Sequence, residues 1–574
     1  MIQIARFLRG FRREVILGPI FKLIEAVFEL IVPLVMAKII DIGVKNADAG
    51  YIWRMGALMV ALGLIGLGCS LTCQYFAARA SQGYGTVVRN ALYAHINSLS
   101  HREIDRLGTA SLVTRMTNDV NQLQLAVAML IRLVVRAPFL AVGATVMAMT
   151  LDLRLSLIFV AAFVVIAGIL YGIMSRSIPY YQRIQRLLDR VSAITRENLS
   201  GVRVIRAFSR QRGEMDRFAA ASDSLQDDAL RVGRLSALLS PATSLAVNTA
   251  VIAILWFGGY RVSQGALSQG QIIALINYMT QVLLALIVVA NLVVIFTKAA
   301  ASAARVNEVF DTHNSVIDQP DPAARPEAGA PRVAFEHVRF GYGGEAELEG
   351  LDLAVMPGER LGIIGGTGSG KSTLVSLIPR FYDVTDGCVR VDGVDVRAMP
   401  LEALRARIGM VPQSAVLFTG TVRDNMRWRR PEATDQQIWK ALETAQAAGF
   451  IRQRPEGLDA PVNQGGRNFS GGQRQRLTIA RALVGDPDIL ILDDSASALD
   501  YATDAALRQA LAAQAGRMTV FMVSQRVHTV RGCDRILVLD EGRVAGLGTH
   551  EALLESCPIY QEICASQLSD EEVS

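Results

Sequence analysis

The chain has 574 residues, 51% of them hydrophobic and 19% charged, with a mean hydropathy of +0.31 and a formal net charge of +5. That length asks for at least two domains, and that balance excludes both an ordinary soluble enzyme and a chain buried wholly in a bilayer. The basic excess sits in loops between apolar segments, so it reads as a membrane-orienting bias, and no nucleic-acid partner is expected.

A membrane-spanning helix needs about 20 mostly apolar residues. Six segments meet this: residues 15–40, 54–78, 128–151, 154–175, 236–260 and 271–297. The first is too long for the apolar stretch of a cleavable signal and lacks a clear small-residue cleavage site, so it is read as a retained span. Arg6, Arg9, Arg12 and Arg13 precede it. The connection at about 79–127 carries Arg79, Arg89, Arg102, Arg106 and Arg115, and that at about 176–235 carries Arg176, Arg183, Arg186, Arg190, Arg203 and Arg206. The other three connections are short and poor in Lys and Arg. The positive-inside rule therefore puts both termini and both long connections in the cytoplasm. The long connections hold few Gly or Pro breakers, which predicts helical extensions of the spans.

Within the spans, Glu25 and Glu29 lie one helical turn apart. They are read either as substrate-path groups or as members of charge pairs with Lys22 or a neighbouring helix. Arg132 and Arg136 are expected at the membrane interface. Asn248, Asn277, Gln281 and Asn291 could line a cavity or bond between helices. Asp41, at the outer end of the first span, suggests part of an extracellular gate. The six cysteines show no CxxC spacing, and neither a disulfide framework nor a metal site is expected.

Residues 313–331, rich in Pro, Ala and acids, read as a linker. It separates a transmembrane domain at 1–312 from a soluble domain at 332–574, in which β-branched runs alternate with helical patterns, the signature of a parallel sheet covered by helices. There Gly365-Gly366-Thr367-Gly368-Ser369-Gly370-Lys371-Ser372 fits the Walker A pattern G-x-x-x-x-G-K-[ST], between a strand at Arg360–Ile364 and a helix opening at Ser372. The glycines let backbone N–H groups turn toward phosphate oxygens, Lys371 reaches the β- and γ-phosphates, and the Ser372 hydroxyl binds Mg²⁺. Thr373 follows on the same helix. Ile489-Leu490-Ile491-Leu492-Asp493 is an apolar strand ending in an acid, the Walker B pattern, with Asp493 as the second Mg²⁺ ligand. ATP and Mg²⁺ are thus the expected cofactors.

Asn468-Phe469-Ser470-Gly471-Gly472-Gln473 resembles the LSGGQ signature of ATP-binding-cassette (ABC) proteins. Other residues match that family in order. Tyr342 matches the aromatic that stacks on adenine, Gln413 in Val411-Pro412-Gln413 matches the Q-loop, and Ser497-Ala498-Leu499-Asp500 matches the D-loop. The membrane half resembles the exporter branch: Arg106-Leu107-Gly108, Arg115-Met116-Thr117-Asn118-Asp119-Val120 and Glu197-Asn198-Leu199-Ser200-Gly201-Val202-Arg203-Val204-Ile205, with Phe208 and Phe218, look like the segments flanking coupling helices. The resemblance covers nearly the whole chain. It implies an all-α six-helix transmembrane domain followed by an α/β P-loop ATPase domain. It also implies a multi-pass protein of the bacterial cytoplasmic membrane, working as a dimer in which each ATP lies between Walker A and B of one chain and the signature of the other.

Two departures matter. The family places a glutamate after the Walker B aspartate, and Asp494 stands here; its carboxylate sits about 1.5 Å further back on an unchanged backbone. A displacement on the order of 1 Å can cost about 10²-fold in rate. The family places a histidine on the switch loop, and Val523-Ser524-Gln525-Arg526 offers Gln525, which carries no titratable proton. Asp494, Gln525 and Gln413 are thus the candidate catalytic residues of a site expected to bind ATP and hydrolyse it poorly, while Ser470, Gly471, Gly472 and Gln473 remain intact. The expected protein is a heterodimeric exporter of a lipophilic drug or lipid, partnered by a second ABC half-transporter and by membrane lipid. A homodimeric exporter and an exporter-shaped regulatory or import subunit are the alternatives.

Overall fold

The computed structural model describes residues 6–571 apart from 345, 497 and 515. The chain packs as two compact units, Met1–Asn97 with Thr109–Asp311, and Ser98–Gly108 with Thr312–Ser574.

Among its described residues the first unit is built of helices joined by short turns, as apolar runs in lipid must be when every backbone N–H and C=O has to be satisfied locally. Its main rods are α1 (Arg12–Lys38), α2 (Ala49–Ser98), α3 (Arg136–Leu151), α4 (Leu153–Ser200), α5 (Gln211–Ala237), α6 (Leu239–Ser263) and α7 (Gln269–Asp311). Five stretches, Ala49–Ser98, Thr109–Leu151, Leu153–Ser200, Gln211–Ser263 and Gln269–Asp311, are long and apolar enough to cross a membrane. Counted with α1, which carries Lys22, Glu25 and Glu29 along its length, they correspond to the six spans read from the sequence. The basic connections are helical continuations: α2 is one rod of 50 residues, about 75 Å long, far more than the roughly 30 Å of hydrocarbon. Before α3 the chain passes through two π-helical turns, Arg115–Asp119 and Leu130–Val134.

Rod α7 packs along α1, α3 and α6. The core they share is built from small and branched side chains, Ala26, Leu140, Ala144, Ile254 and Leu275 among them, with Phe159 of α4 packed in as well. Tyr278, fully buried, donates from its hydroxyl to the Leu30 carbonyl at 2.6 Å, a bond that satisfies the one polar atom it takes into the core.

Lys22, Glu25 and Glu29 of α1 each have a partner of opposite charge. Lys22 Nζ lies 2.6 Å from Glu25 Oε2 and donates to Ser70 Oγ at 3.2 Å. Of the two readings of Glu29, the structure shows the charge pair with a neighbouring helix: the Arg136 guanidinium reaches α1 and donates to Glu29 Oε2 at 2.7 Å, because each charge costs less beside its opposite than alone among apolar helices. Gln281 bonds between helices, donating to the Glu29 carbonyl at 3.3 Å, whereas Asn277 donates to Ile273 O of its own helix.

Asp41, expected to form part of an extracellular gate, caps a neighbouring helix. It accepts from Gly270 N at 2.8 Å and from the Ser268 hydroxyl, covering the exposed donors at the start of α7. Close approach accompanies the cap: a Cβ at Gly270 would sit 2.3 Å from the Ala37 carbonyl oxygen. Gly270→Ala is therefore expected to push α1 and α7 apart and to destabilise the first unit by about 1–3 kcal/mol, read as a lowered melting temperature in detergent. An unchanged melting temperature would mean the two helices can separate freely here.

The second unit is built on a six-stranded sheet in the order β12-β11-β3-β10-β9-β6. Its strands are β3 (Arg360–Gly365), β6 (Ile408–Val411), β9 (Ile489–Asp493), β10 (Thr519–Val523), β11 (Arg535–Asp540) and β12 (Arg543–Gly548); all neighbours run parallel except β12. Strands β9 and β10 are buried at every residue, as a sheet covered on both faces requires. A second, antiparallel sheet has the order β2-β1-β4-β5, from β1 (Val333–Phe340), β2 (Leu348–Val355), β4 (Asp386–Val391) and β5 (Val394–Asp395). The helix His101–Leu107 belongs to this unit by its packing although it lies between membrane helices in sequence. The six cysteines are all free thiols.

Candidate functional site

In a parallel sheet, ligands bind beyond the carboxyl ends of the strands. Here β10 lies between β3 and β9, with Val523 in register with Ile363 on one side and Asp493 on the other. Three loops therefore leave the sheet side by side: Gly365–Gly370, Asp494 onward, and Ser524–Gln525. They border a cavity of about 230 Å³ that brings together Thr367, Lys371, Ser372, Gln413, Asp493, Asp494 and Gln525.

The phosphate loop owes its shape to glycine. Gly368 and Gly370 take φ values of +82° and +92°, the left-handed region that side chains with a Cβ avoid. At Gly365 a Cβ would lie 2.1 Å from the Leu539 carbonyl oxygen. The helix α8 (Lys371–Leu377) then starts with its N-terminus facing the cavity, the arrangement that favours anions.

Lys371 Nζ donates to the carbonyls of Gly365 at 2.9 Å and Gly366 at 2.5 Å, so its charge is held at the loop itself. Burial lowers its pKa, and the nearby Asp494 and Asp493 carboxylates oppose that shift. The Ser372 hydroxyl donates to Asp493 Oδ1 at 2.8 Å. These two oxygens fit a small, hard cation, which takes one or two carboxylate or hydroxyl oxygens from protein and the rest from phosphate and water. Burial raises the pKa of Asp493, and Asp494 adds to that rise, while the Ser372 bond opposes it.

Asp494 takes φ +45°, a left-handed backbone that Asp tolerates better than most residues. Burial raises its pKa too, against a hydrogen bond from the Gln413 side chain and the charges of Arg526 and Lys371. Gln413 thus reaches across from the end of β6 to the very carboxylate that stands in place of the usual glutamate.

The remaining sequence candidates lie elsewhere. Tyr342 donates or accepts at Thr373 Oγ1 across 3.2 Å, so the aromatic and the phosphate helix are tied together, and the residue as a whole is 46% exposed. Ser470 caps α9 (Gly471–Leu483) in a reciprocal capping box with Gln473, at 3.3 Å and 3.0 Å. The signature residues border no part of the cavity. Asp500 caps the next helix by accepting from Thr503 N at 2.8 Å; Ser497 lies outside the described residues. Glu347, on the loop before β2, also borders the cavity and was missed by sequence reasoning, because no motif marks it.

The ABC transporter transmembrane region family matches residues 15–301, and the ABC transporter family matches residues 348–497. An uncharacterised ABC transporter ATP-binding protein of Mycobacterium tuberculosis is 40% identical over 98% of this chain and 97% of its own length. The ATP-dependent lipid A-core flippase of Chromobacterium violaceum is 30% identical over 98% of this chain and 96% of its own. A multidrug efflux ATP-binding/permease protein of Mycobacterium tuberculosis is 31% identical over the whole chain, which spans 48% of that larger protein. Among solved structures, a bacterial Atm1-family ABC exporter with ATP bound superposes with a TM-score of 0.81 at 27% identity, covering 97% of this chain and 99% of that one.

Proposed function

This chain belongs to the ABC transporter family, an exporter-type half-transporter whose ATPase domain is coupled to membrane transport, and on that premise we propose that it is the degenerate-site subunit of a heterodimeric exporter. The observation that carries the proposal is the grouping of Asp494 and Gln525 in one cavity with Lys371, Ser372 and Asp493, beside a signature that keeps Ser470 to Gln473. In the proposed arrangement residues 1–312 form the transmembrane domain, 313–331 the linker and 332–574 the ATPase domain. Both termini lie in the cytoplasm of a bacterial cell.

In the dimer, Lys371 and the loop amides hold the β- and γ-phosphates, Tyr342 stacks on adenine, and the partner's signature closes over the γ-phosphate. Mg²⁺, held by Ser372, Asp493 and Gln413, supplies charge neutralisation on the phosphates when bound. Asp494 orients the attacking water from too far back, and Gln525 donates a hydrogen bond without a proton to transfer. ATP therefore stays at this site over several cycles. The intact Ser470–Gln473 segment completes the partner's site, where hydrolysis resets the membrane domain. The cargo is a lipophilic, drug-like or lipid molecule; the similarity to a lipid A-core flippase and to a multidrug efflux protein supports that class.

The experiment is ATPase activity of this chain alone and co-expressed with a neighbouring ABC half-transporter. Low activity alone and high activity together, lost on mutating the partner's Walker B glutamate, is the expected result. Full activity alone would replace the heterodimer by a homodimer. ATP-dependent flux in vesicles excludes a purely regulatory subunit, and its direction separates export from import.

A further inference from the structure

In the second unit, the end of the phosphate helix, the aromatic proposed to hold adenine and the helix His101–Leu107 meet in one cluster. The chain leaves α8 through Arg380, whose left-handed φ of +53° turns the next two side chains, Phe381 and Tyr382, out of the helix line. Tyr382 meets Tyr342 edge to face, ring centroids 5.2 Å apart at 87°, and Phe340 packs against both, at 5.0 Å from Tyr342 and 5.6 Å from Tyr382. On its other side the Tyr382 hydroxyl donates to Asp105 Oδ2 at 3.2 Å, and the His101 ring lies 4.4 Å from Phe381 and 6.1 Å from Tyr382. Burial lowers the His101 pKa, against the Asp105 charge, so its ring packs here largely as an apolar plate.

Tyr342 is thus held at three points: its hydroxyl on Thr373 of the phosphate helix, its edge contact with Tyr382, and the Phe340 ring behind it. Its exposed face is what remains for a base. A base stacked there fixes the Tyr342 ring, and an edge-to-face partner feels such a change strongly because the contact depends on ring angle as well as distance. Tyr382 is the one residue in this group that touches the Tyr342 ring on one side and bonds a charged side chain of His101–Leu107 on the other.

We propose that Tyr382 is a positioning residue that ties the base-holding face of Tyr342 to the helix His101–Leu107 through Asp105, so that this helix registers the base of the nucleotide as well as its phosphates. The proposal rests on the reading of Tyr342 as the adenine platform. It follows that a triphosphate with a purine base orders His101–Leu107 more than one with a small pyrimidine base, even at equal occupancy.

The test is hydrogen–deuterium exchange of residues 98–108 in the full-length chain with its partner, in detergent, at saturating MgATP and MgUTP. Tyr382→Phe removes only the hydroxyl, and Tyr382→Leu removes the ring as well. ATP affinity is measured in parallel by displacement of a fluorescent ATP analogue. In the unaltered protein MgATP is expected to slow exchange across 101–108 more than MgUTP does. Tyr382→Phe is expected to lose about fivefold of that slowing, the worth of one hydrogen bond, with ATP affinity within about twofold. Equal ATP-dependent slowing in Tyr382→Phe and the unaltered chain would overturn the inference, as would a loss of ATP affinity in step with the loss of slowing, since Tyr382 would then be part of the base pocket itself. Failure of the unaltered protein to bind ATP would overturn the ATPase reading instead, so the two failures are separable. If Tyr382→Leu does not fold, the Phe variant decides alone.

Discussion

In the proposed heterodimer, replacing Asp494 by Glu and Gln525 by His together is expected to raise ATP turnover at this chain's own site by about 10²-fold, measured with the partner's Walker B glutamate mutated so that its site is silent. The expectation comes from reach and not from basicity. Burial already raises the Asp494 pKa, which moves a carboxylate toward a useful general base at neutral pH. What Asp lacks is about 1.5 Å of side chain, and Gln413 holds the shorter carboxylate back toward the end of β6. The longer Glu extends past that hydrogen bond toward the phosphate end of the cavity. Gln525 is the second defect: it borders the same cavity but cannot pass a proton. Residues that act as a unit are not additive, so each single change should give far less than the pair. One cost runs the other way, because φ +45° at position 494 suits Asp better than Glu. No gain from the double variant would place the defect outside this cavity, in the partner's signature.

The second large effect is structural. Asp119, 1% exposed, sits in the π-helical turn Arg115–Asp119 and accepts from Ser302 Oγ at 2.9 Å and Arg305 Nε at 2.8 Å on α7, with Arg305 Nη2 on its other oxygen. Arg115 in the same turn donates to the Arg305 carbonyl at 2.7 Å and pairs with Glu308 at 2.9 Å. Two turns of helix are thus fastened to α7 through a buried carboxylate, while the Arg305 and Glu308 side chains stay half open to solvent. Removing Asp119 leaves the Ser302 hydroxyl and the Arg305 guanidinium without their acceptor, and because the Arg305 side chain is half exposed, water takes up part of the loss, so the cost is about 1–3 kcal/mol. Asp119→Ala is therefore expected to lower the melting temperature sharply in detergent and to leave α7 open to protease near Arg305. Asp119→Asn, which keeps a bond to Ser302, should lose less. A melting temperature unmoved by Asp119→Ala would mean that water reaches Arg305 freely, and would remove this pair from the forces holding the first unit.

Much of this could be read from sequence because the strongest constraints act locally. Lipid demands length and apolarity in one continuous run, so the spans stood out. The phosphate loop is a strand, a glycine turn and a helix within a dozen residues, and it folds as its spacing implies. Sequence-remote partnerships could not be read. Nothing in the run around Arg136 says that its guanidinium meets Glu29, 107 positions away. That Asp41 caps the start of α7 is also invisible in its own run, because Gly270 lies 229 positions away. The left-handed backbone at Asp494 is equally silent in sequence, since it follows from how the loop leaves β9. Likewise His101–Leu107 looks like one more solvated turn until Phe381 and Tyr382 are seen against it.

The unbroken rods have a mechanical meaning. Helix α4 runs 48 residues, about 70 Å, with a single proline, Pro179, along its length. A stiff beam of that size magnifies rotation: a tilt of about 10° moves its tip by about 12 Å while a point close to the pivot hardly moves. Ångström-scale rearrangement at one extremity then suffices to swing the opposite one by the width of a side chain or more. Along such a beam Pro179 is the compliant spot, because the backbone bond it cannot donate is absent there. Bending fatigue, if the beam is worked hard, would show first at that spot, and stiffening or softening it would retune stroke length without touching any group that binds a ligand.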